Sequence, residues 1–180
     1  MNAYFLFVVS LASIGVLMGL RGEAKRIAAA RSSAWQPVPD VEQLAEQVAF
    51  LGDAQAIEWQ TEYSLVQEPR SGVVRSYRLR HGEATYRLVI FRHDIACPVC
   101  RDVLAGAVFA EGGTVKRVFV LDVWEVEGKA VDPTPLLAQL RGREAFKLGK
   151  NVDGISGATY SSAGLVRQLN HARQWIEARP

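Results

Sequence analysis

Residues 103–126 read VLAGAVFAEGGTVKRVFVLDVWEV, and the way this stretch folds back on itself decides the architecture. Two apolar runs flank Glu111-Gly112-Gly113, a composition that lets the backbone reverse between antiparallel neighbours. The stretch therefore reads as a hairpin, with one strand over 103–110 and a second over 114–126. Upstream, GVVRSYRLR (72–80) and ATYRLVIFR (84–92) read as two more strands around the turn Arg80-His81-Gly82-Glu83. Further back, AIEWQTEYSLV (56–66) alternates, with Ile57, Trp59, Thr61, Tyr63 and Leu65 on one side, as a half-buried strand does.

Helical spacing brackets these strands. Asp40 with Gln43 makes a capping-box pattern, and Val41, Leu44, Ala45 and Val48 then form one apolar face. DPTPLLAQLRGR (132–143) predicts a short helix with proline in its first turn, followed by a loop rich in Gly and Lys. The last element runs from about Thr159 to Ala178, where Leu165, Leu169, Ala172 and Ile176 repeat at helical intervals. The expected class is α+β, an antiparallel sheet with packed helices, preceded by one N-terminal transmembrane helix.

That transmembrane reading rests on MNAYFLFVVSLASIGVLMGL, which carries no charge from Ala3 to Leu20. As a helix this run reaches about 27 Å, close to the hydrocarbon thickness of a bilayer. Only the α-amino group precedes it, so an uncleaved anchor reads better than a removed signal. The prolines of SAWQPVPD (33–40) set a boundary near Trp35, giving an anchor and juxtamembrane helix over 1–34 and one domain over 35–180. The whole chain has a net charge of +2. Arg21, Lys25, Arg26 and Arg31 against Glu23 place the positive excess in the anchor segment. The folded part is then nearly neutral, and nothing argues for a nucleic-acid partner.

The chemistry concentrates in NVDGISGATYSSAGLVRQLNHA, residues 151–172. The first N–H groups of a helix have no intrahelical partner, and the dipole adds partial positive charge there. Gly157 permits close approach, and Ser156, Thr159, Ser161 and Ser162 place hydroxyls around the same end. On residues alone two readings stand: a plain Ser/Thr cap, or a phosphate site.

The run Asp153, Ser156, Gly157, Ala158, Thr159, continued by Tyr160-Ser161-Ser162-Ala163, resembles the flavinylation motif of the FMN-binding domain family. That family includes subunits of the sodium-translocating quinone reductase and the ferredoxin-linked electron-transport complex. LAGAVFAEGGTVKRVFVL resembles the strand-turn-strand that normally lies upstream, so the resemblance spans about residues 85–175 and leaves 36–80 outside. It implies FMN joined by a phosphodiester to the Thr159 hydroxyl, installed by a flavin transferase that uses FAD. It also implies that Asp153 presents the motif and metal to the transferase, and that Gly157 and Ala158 leave room for the phosphate. Ser156, Ser161, Ser162 and the helix N-terminus would hold its remaining charge. A cell-membrane, extracytoplasmic setting follows from the family's usual location, with a membrane or extracytoplasmic redox partner and lipid around residues 3–20. The cations just after the apolar run pull the other way, by the positive-inside rule.

Cys97 and Cys100 form the chain's single CxxC. Arg101 stands where a haem c site needs His, which removes that reading. A redox-active dithiol, a loop-stapling disulfide or two buried thiols, and a metal site with His81, His93 or His171 remain. Beside them, His93-Asp94 reads as a surface contact, Trp59, Trp124 and Trp175 as packing, and Arg78, Arg80, Arg87 and Arg92 as solvated strand faces. The leading expectation is a membrane-anchored flavoprotein electron carrier in an extracytoplasmic redox chain, with the Cys97/Cys100 dithiol as a candidate partner of the flavin. The alternatives are a thiol-disulfide oxidoreductase accessory centred on the CxxC pair, and a membrane-tethered binding module without flavin.

Overall fold

The computed structural model describes residues 37–64, 72–93, 103–121, 125–126 and 129–179, all within the unit Gln36–Pro180. The expected anchor, the Trp35 boundary, Leu65, Asp94, Cys97, Cys100 and Trp124 lie outside the described residues. Among those described, no helix is long and apolar enough to cross a membrane.

Helix α1 is Val41–Val48, and its capping box forms as the sequence predicts: Asp40 accepts from the Gln43 N–H at 2.9 Å, and Gln43 accepts from the Asp40 N–H at 3.3 Å. Two single 3-10 turns, Ala49–Leu51 and Ala54–Ala56, lead into the sheet. Its strands are β1 (Glu58–Ser64), β2 (Gly72–His81), β3 (Ala84–His93), β4 (Val103–Ala110) and β5 (Val115–Val120). They lie in sequence order, each antiparallel to the next. A two-residue pair, β6 (Glu125–Val126) with β7 (Lys129–Ala130), precedes α2 (Thr134–Leu140), and α3 (Thr159–Glu177) closes the domain.

Both faces of the sheet are covered, which explains why β4 reads as a near-continuous apolar run. On one face α1 lays Leu44 and Val48 against Leu79, Leu88, Ile90, Leu104 and Phe119. On the other, α2 and α3 bring Leu136, Leu140, Leu165, Leu169 and Ala172 onto Val89, Phe91, Ala105, Ala107 and Phe109. Each fully buried leucine contributes about 1.5–3 kcal/mol, so α3 is held mainly by its stripe.

Two expectations change. The second hairpin strand stops at Val120 instead of reaching 126, since Leu121 N–H makes its bond to the Leu104 carbonyl and β4 begins at Val103. Past that point the ladder has no partner strand among the described residues. In β1 the strict alternation breaks, because a bulge between Thr61 and Tyr63 shifts the register. Trp59 stays on the α1 side, edge-on to Tyr77, whereas Tyr63 packs against Trp175 of α3. The β2–β3 turn is tighter than expected: His81 pairs with Ala84, leaving only Gly82-Glu83 between them.

Candidate functional site

The segment that delivers the chain to α3 is held by side-chain amides. Asn151 accepts from the Lys147 N–H at 2.7 Å and donates to the Ala145 carbonyl at 2.9 Å. Asn170 of α3 donates to the Phe146 carbonyl at 2.9 Å, and Val152 is buried beneath the turn. Gln139 of α2 then grips Asp153 by its backbone. Its Oε1 accepts from the Asp153 N–H at 2.8 Å, and its Nε2 donates to the Asp153 carbonyl at 3.3 Å and to the Pro135 carbonyl at 3.1 Å. The Asp153 carboxylate takes no part in the clasp, and the residue is exposed.

Beyond Asp153 the chain makes one more turn. Ala158 N–H donates to the Ile155 carbonyl at 3.0 Å, with Gly157 at φ +78°. A left-handed residue is strained for any side chain, while nothing lies within 4 Å of where a Cβ would stand. Glycine is therefore required here by backbone conformation and not by crowding, and the space beside it is open.

The Ser162 hydroxyl fixes this turn from below. It accepts from the Ile155 N–H at 3.1 Å and donates to the Ala158 carbonyl at 2.9 Å. This corrects the expectation that Ser162 contributes a hydroxyl to the open end: it is fully buried and its bonding is internal. Ser161 is buried as well. Both residues fall on the inner side of the helix, one turn before Leu165. Ala158 is the buried pivot, while Ser156, Gly157, Thr159 and Tyr160 are exposed. Of the residues singled out in the sequence, Asp153, Ser156, Gly157 and Thr159 thus share one open turn, and Ala158, Ser161 and Ser162 support it.

The helix starts at Thr159 from an N-cap, Ala158, that makes no side-chain cap hydrogen bond. The N-cap of α2, Pro133, likewise makes no side-chain cap bond, but an acidic side chain still reaches the first turn of α1 and of α2. Asp40 caps α1, and Asp132 accepts from the Thr134 N–H at 2.9 Å in the first turn of α2. Bonds from the Thr134 hydroxyl and N–H hold the Asp132 carboxyl below its ordinary value. The plain-cap reading therefore fails for α3, although serine and threonine surround its start. A 19-residue helix ends here in open solvent, with a dipole that favours an anion and a hydroxyl at its first residue. These features fit a flavin phosphate.

Residues 103–174 match the family model of the FMN-binding domain. The chain carries an FMN-binding domain. The matched region begins at β4, takes in α2 and the clasped loop, and ends within α3. It is shorter at the N-terminal side than the resemblance suggested, and β1 to β3 lie outside it. No curated protein matches the chain.

At the end of β3, outside the matched region, lie two polar residues that the sequence pattern places at the surface. Arg92 and His93 are both buried. The His93 ring fills the space above Gly164, where a Cβ would come within 1.6 Å of it. Glycine is thus needed one and a half turns into α3 for the helix to close onto the end of β3. Arg87, also expected to be solvated, turns inward as well. It donates to the Ile176 carbonyl at 3.0 Å and to the Arg179 carbonyl, and pairs with Glu62 at 3.5 Å. Arg78 pairs with the same carboxylate at 2.8 Å, and Arg80 alone keeps the expected exposed position, 3.7 Å from Glu58. Trp59 and Trp175 pack as expected.

Among the described residues no cluster of three or more His, Cys, Asp or Glu stands ready for a metal. A cavity of about 720 Å³ opens among Arg80, Tyr86, Glu111 and Ile176. It belongs to the C-terminal end of α3, roughly 25 Å of helix away from Thr159. It is no part of the flavin motif.

Proposed function

We propose that FMN is attached covalently to Thr159 and that the protein is an electron carrier. Residues 3–20 tether it to the cell membrane, with the domain on the extracytoplasmic side. The Thr159 hydroxyl forms one ester bond to the FMN phosphate of FAD and loses its proton; AMP leaves, and a flavin transferase carries out the exchange. Attached FMN supplies one- and two-electron transfer, and the chain supplies position. The first-turn N–H groups of α3 and the Ser156 hydroxyl would hold the remaining phosphate charge, a stabilisation of about 0.3–1 kcal/mol. Asp153, its backbone clasped by Gln139, offers its carboxylate to the transferase and its metal. Redox partners meet the flavin outside the cytoplasm, where covalent attachment prevents loss of a cofactor that could not readily be replaced.

The observation that carries this reading is the exposed Thr159 at the uncapped start of α3, inside the matched FMN-binding domain. Coexpression with a flavin transferase, followed by intact-mass measurement, tests it. The wild-type chain gains the mass of one FMN less one water, and Thr159→Ala gains nothing. An unmodified wild-type chain under conditions that flavinylate a known substrate contradicts the proposal. Topology reporters fused at the C-terminus test the location separately, and a cytoplasmic signal overturns it.

A further inference from the structure

Strand β5 is the edge of the sheet. Leu121 N–H bonds to the Leu104 carbonyl, so by antiparallel alternation Phe119 and Arg117 direct their backbone groups towards β4. Val118 and Val120 direct theirs outward. The bulge between Val108 and Phe109 brings Val115 into the outward set as well, and there the edge is already used. Val115 N–H donates to the Arg143 carbonyl at 3.0 Å, and Gly142 N–H to the Val115 carbonyl at 2.7 Å. A piece of extended chain therefore pairs with the first outward position of β5. Among the described residues nothing pairs with the next two.

A groove of about 380 Å³ runs along this same edge. Phe50 forms one wall, with the Arg117 guanidinium 5.5 Å from its ring centre, and Leu137 and Ala138 of α2 with Arg141 just beyond it form the other. Lys116 joins Arg117 and Arg141 in the lining, and no acidic residue among those described lines it. Phe50 is 40 % exposed, an unusual position for a large apolar ring.

We infer that this groove is a docking site for an extended, acidic segment of a partner protein, which adds to β5 as a sixth strand. Unpaired backbone groups favour an extended peptide, which supplies donors and acceptors in register, over an anionic lipid surface, which has no such register. The three cations select acidic side chains on the incoming strand. A second copy of this chain is disfavoured, because pairing β5 with β5 would set Lys116 and Arg117 against their own like charges. The groove shares α2 with the flavin motif: Leu137 and Ala138 line it, while Gln139 clasps Asp153. A docked partner is thereby held against the helix that positions the motif.

The test uses a dye-labelled, end-blocked heptapeptide alternating glutamate and valine, titrated into the full chain in detergent and read by fluorescence anisotropy. The acidic peptide is expected to bind, and the same peptide with lysine in place of glutamate is not. Reversing Lys116, Arg117 and Arg141 to glutamate weakens binding by about tenfold or more. Val118→Pro, which removes one outward N–H, weakens it by about fivefold. Amide hydrogen exchange on the wild-type chain keeps the test open if the proline variant fails to fold: bound peptide is expected to protect Val118 and Val120. No binding overturns the proposal. So does binding that leaves both amides unprotected, which points to a plain anion surface. A concentration-dependent dimer without peptide, lost on charge reversal or in Val118→Pro, overturns it in favour of a second copy.

Discussion

The two ends of α3 are treated in opposite ways. At the C-terminal end the chain satisfies its own backbone: Arg87 reaches from β3 to the carbonyls of Ile176 and Arg179, and Arg179 lies 4.3 Å over the Trp175 ring. A cation sits where the dipole is negative, as electrostatics favours. At the N-terminal end no acidic side chain among the described residues caps the helix, although Asp40 and Asp132 each bond a first-turn N–H of the other helices. Ala158 occupies the cap, and the hydroxyls of Ser161 and Ser162 are turned inward. The difference separates a helix end tied down by its own chain from one that is left exposed, where the proposed function places the flavin. One end is closed by the protein, and the other leaves Thr159 exposed.

Substitutions can break this contrast, and the largest effect belongs to the open end. Thr159→Ala should abolish covalent flavin, seen as loss of in-gel fluorescence after denaturation, with thermal melting of the unmodified protein almost unchanged. At the closed end the pattern inverts. Arg87→Ala should cost about 2–3 kcal/mol of stability, since a charged donor to two carbonyls is lost, as read by chemical denaturation. Flavin attachment under native conditions should persist. If Arg87→Ala instead prevents attachment while leaving stability intact, the division of labour between the two ends is wrong.

Smaller effects sharpen the boundary between the motif and its support. Gln139→Ala should cost about 1 kcal/mol of stability. It should also slow flavinylation by about tenfold through misplacement of Asp153, measured as initial rate against transferase concentration. The smallest effect is expected at Asp132. Its folded-state pKa is lowered by the Thr134 hydroxyl and N–H, so its contribution is complete above the ordinary value of 3.8 and is lost as pH falls through the lowered one. Asp132→Asn should therefore lower the melting temperature slightly at neutral pH. The difference from wild type should vanish in strong acid, and attachment should be unaffected at any pH where the domain is folded.

Features set by neighbours along the chain are legible in the sequence. The Asp40–Gln43 capping box, the strand-turn-strand around Glu111-Gly112-Gly113 and the start of α3 at Thr159 each depend on a few adjacent residues. The β1 bulge is not legible there, because an extra residue is defined only against the partner strand. Nor is the inward turn of Arg87, Arg92 and His93, since that depends on α3 packing across the end of β3. The clasp of Gln139 on Asp153 is made by side-chain-to-backbone bonds between residues fourteen apart, and no local pattern in the sequence ties the two together. Ser162 is a different case. Counting from Thr159, the helical repeat puts residues 162, 165, 169 and 172 on one side. Followed back from Leu165, that phase puts the Ser162 hydroxyl on the buried side by periodicity alone.

Peptide mapping of the flavinylated protein tests the central claim most directly. Trypsin cuts after Lys150 and Arg167, releasing residues 151–167, which hold Ser156, Thr159, Tyr160, Ser161 and Ser162 together. Fragmentation of that peptide should locate one FMN on Thr159 and leave the serines and Tyr160 unmodified. FMN found on Ser156 or on any other residue, or recovered only as free flavin after unfolding, contradicts the account.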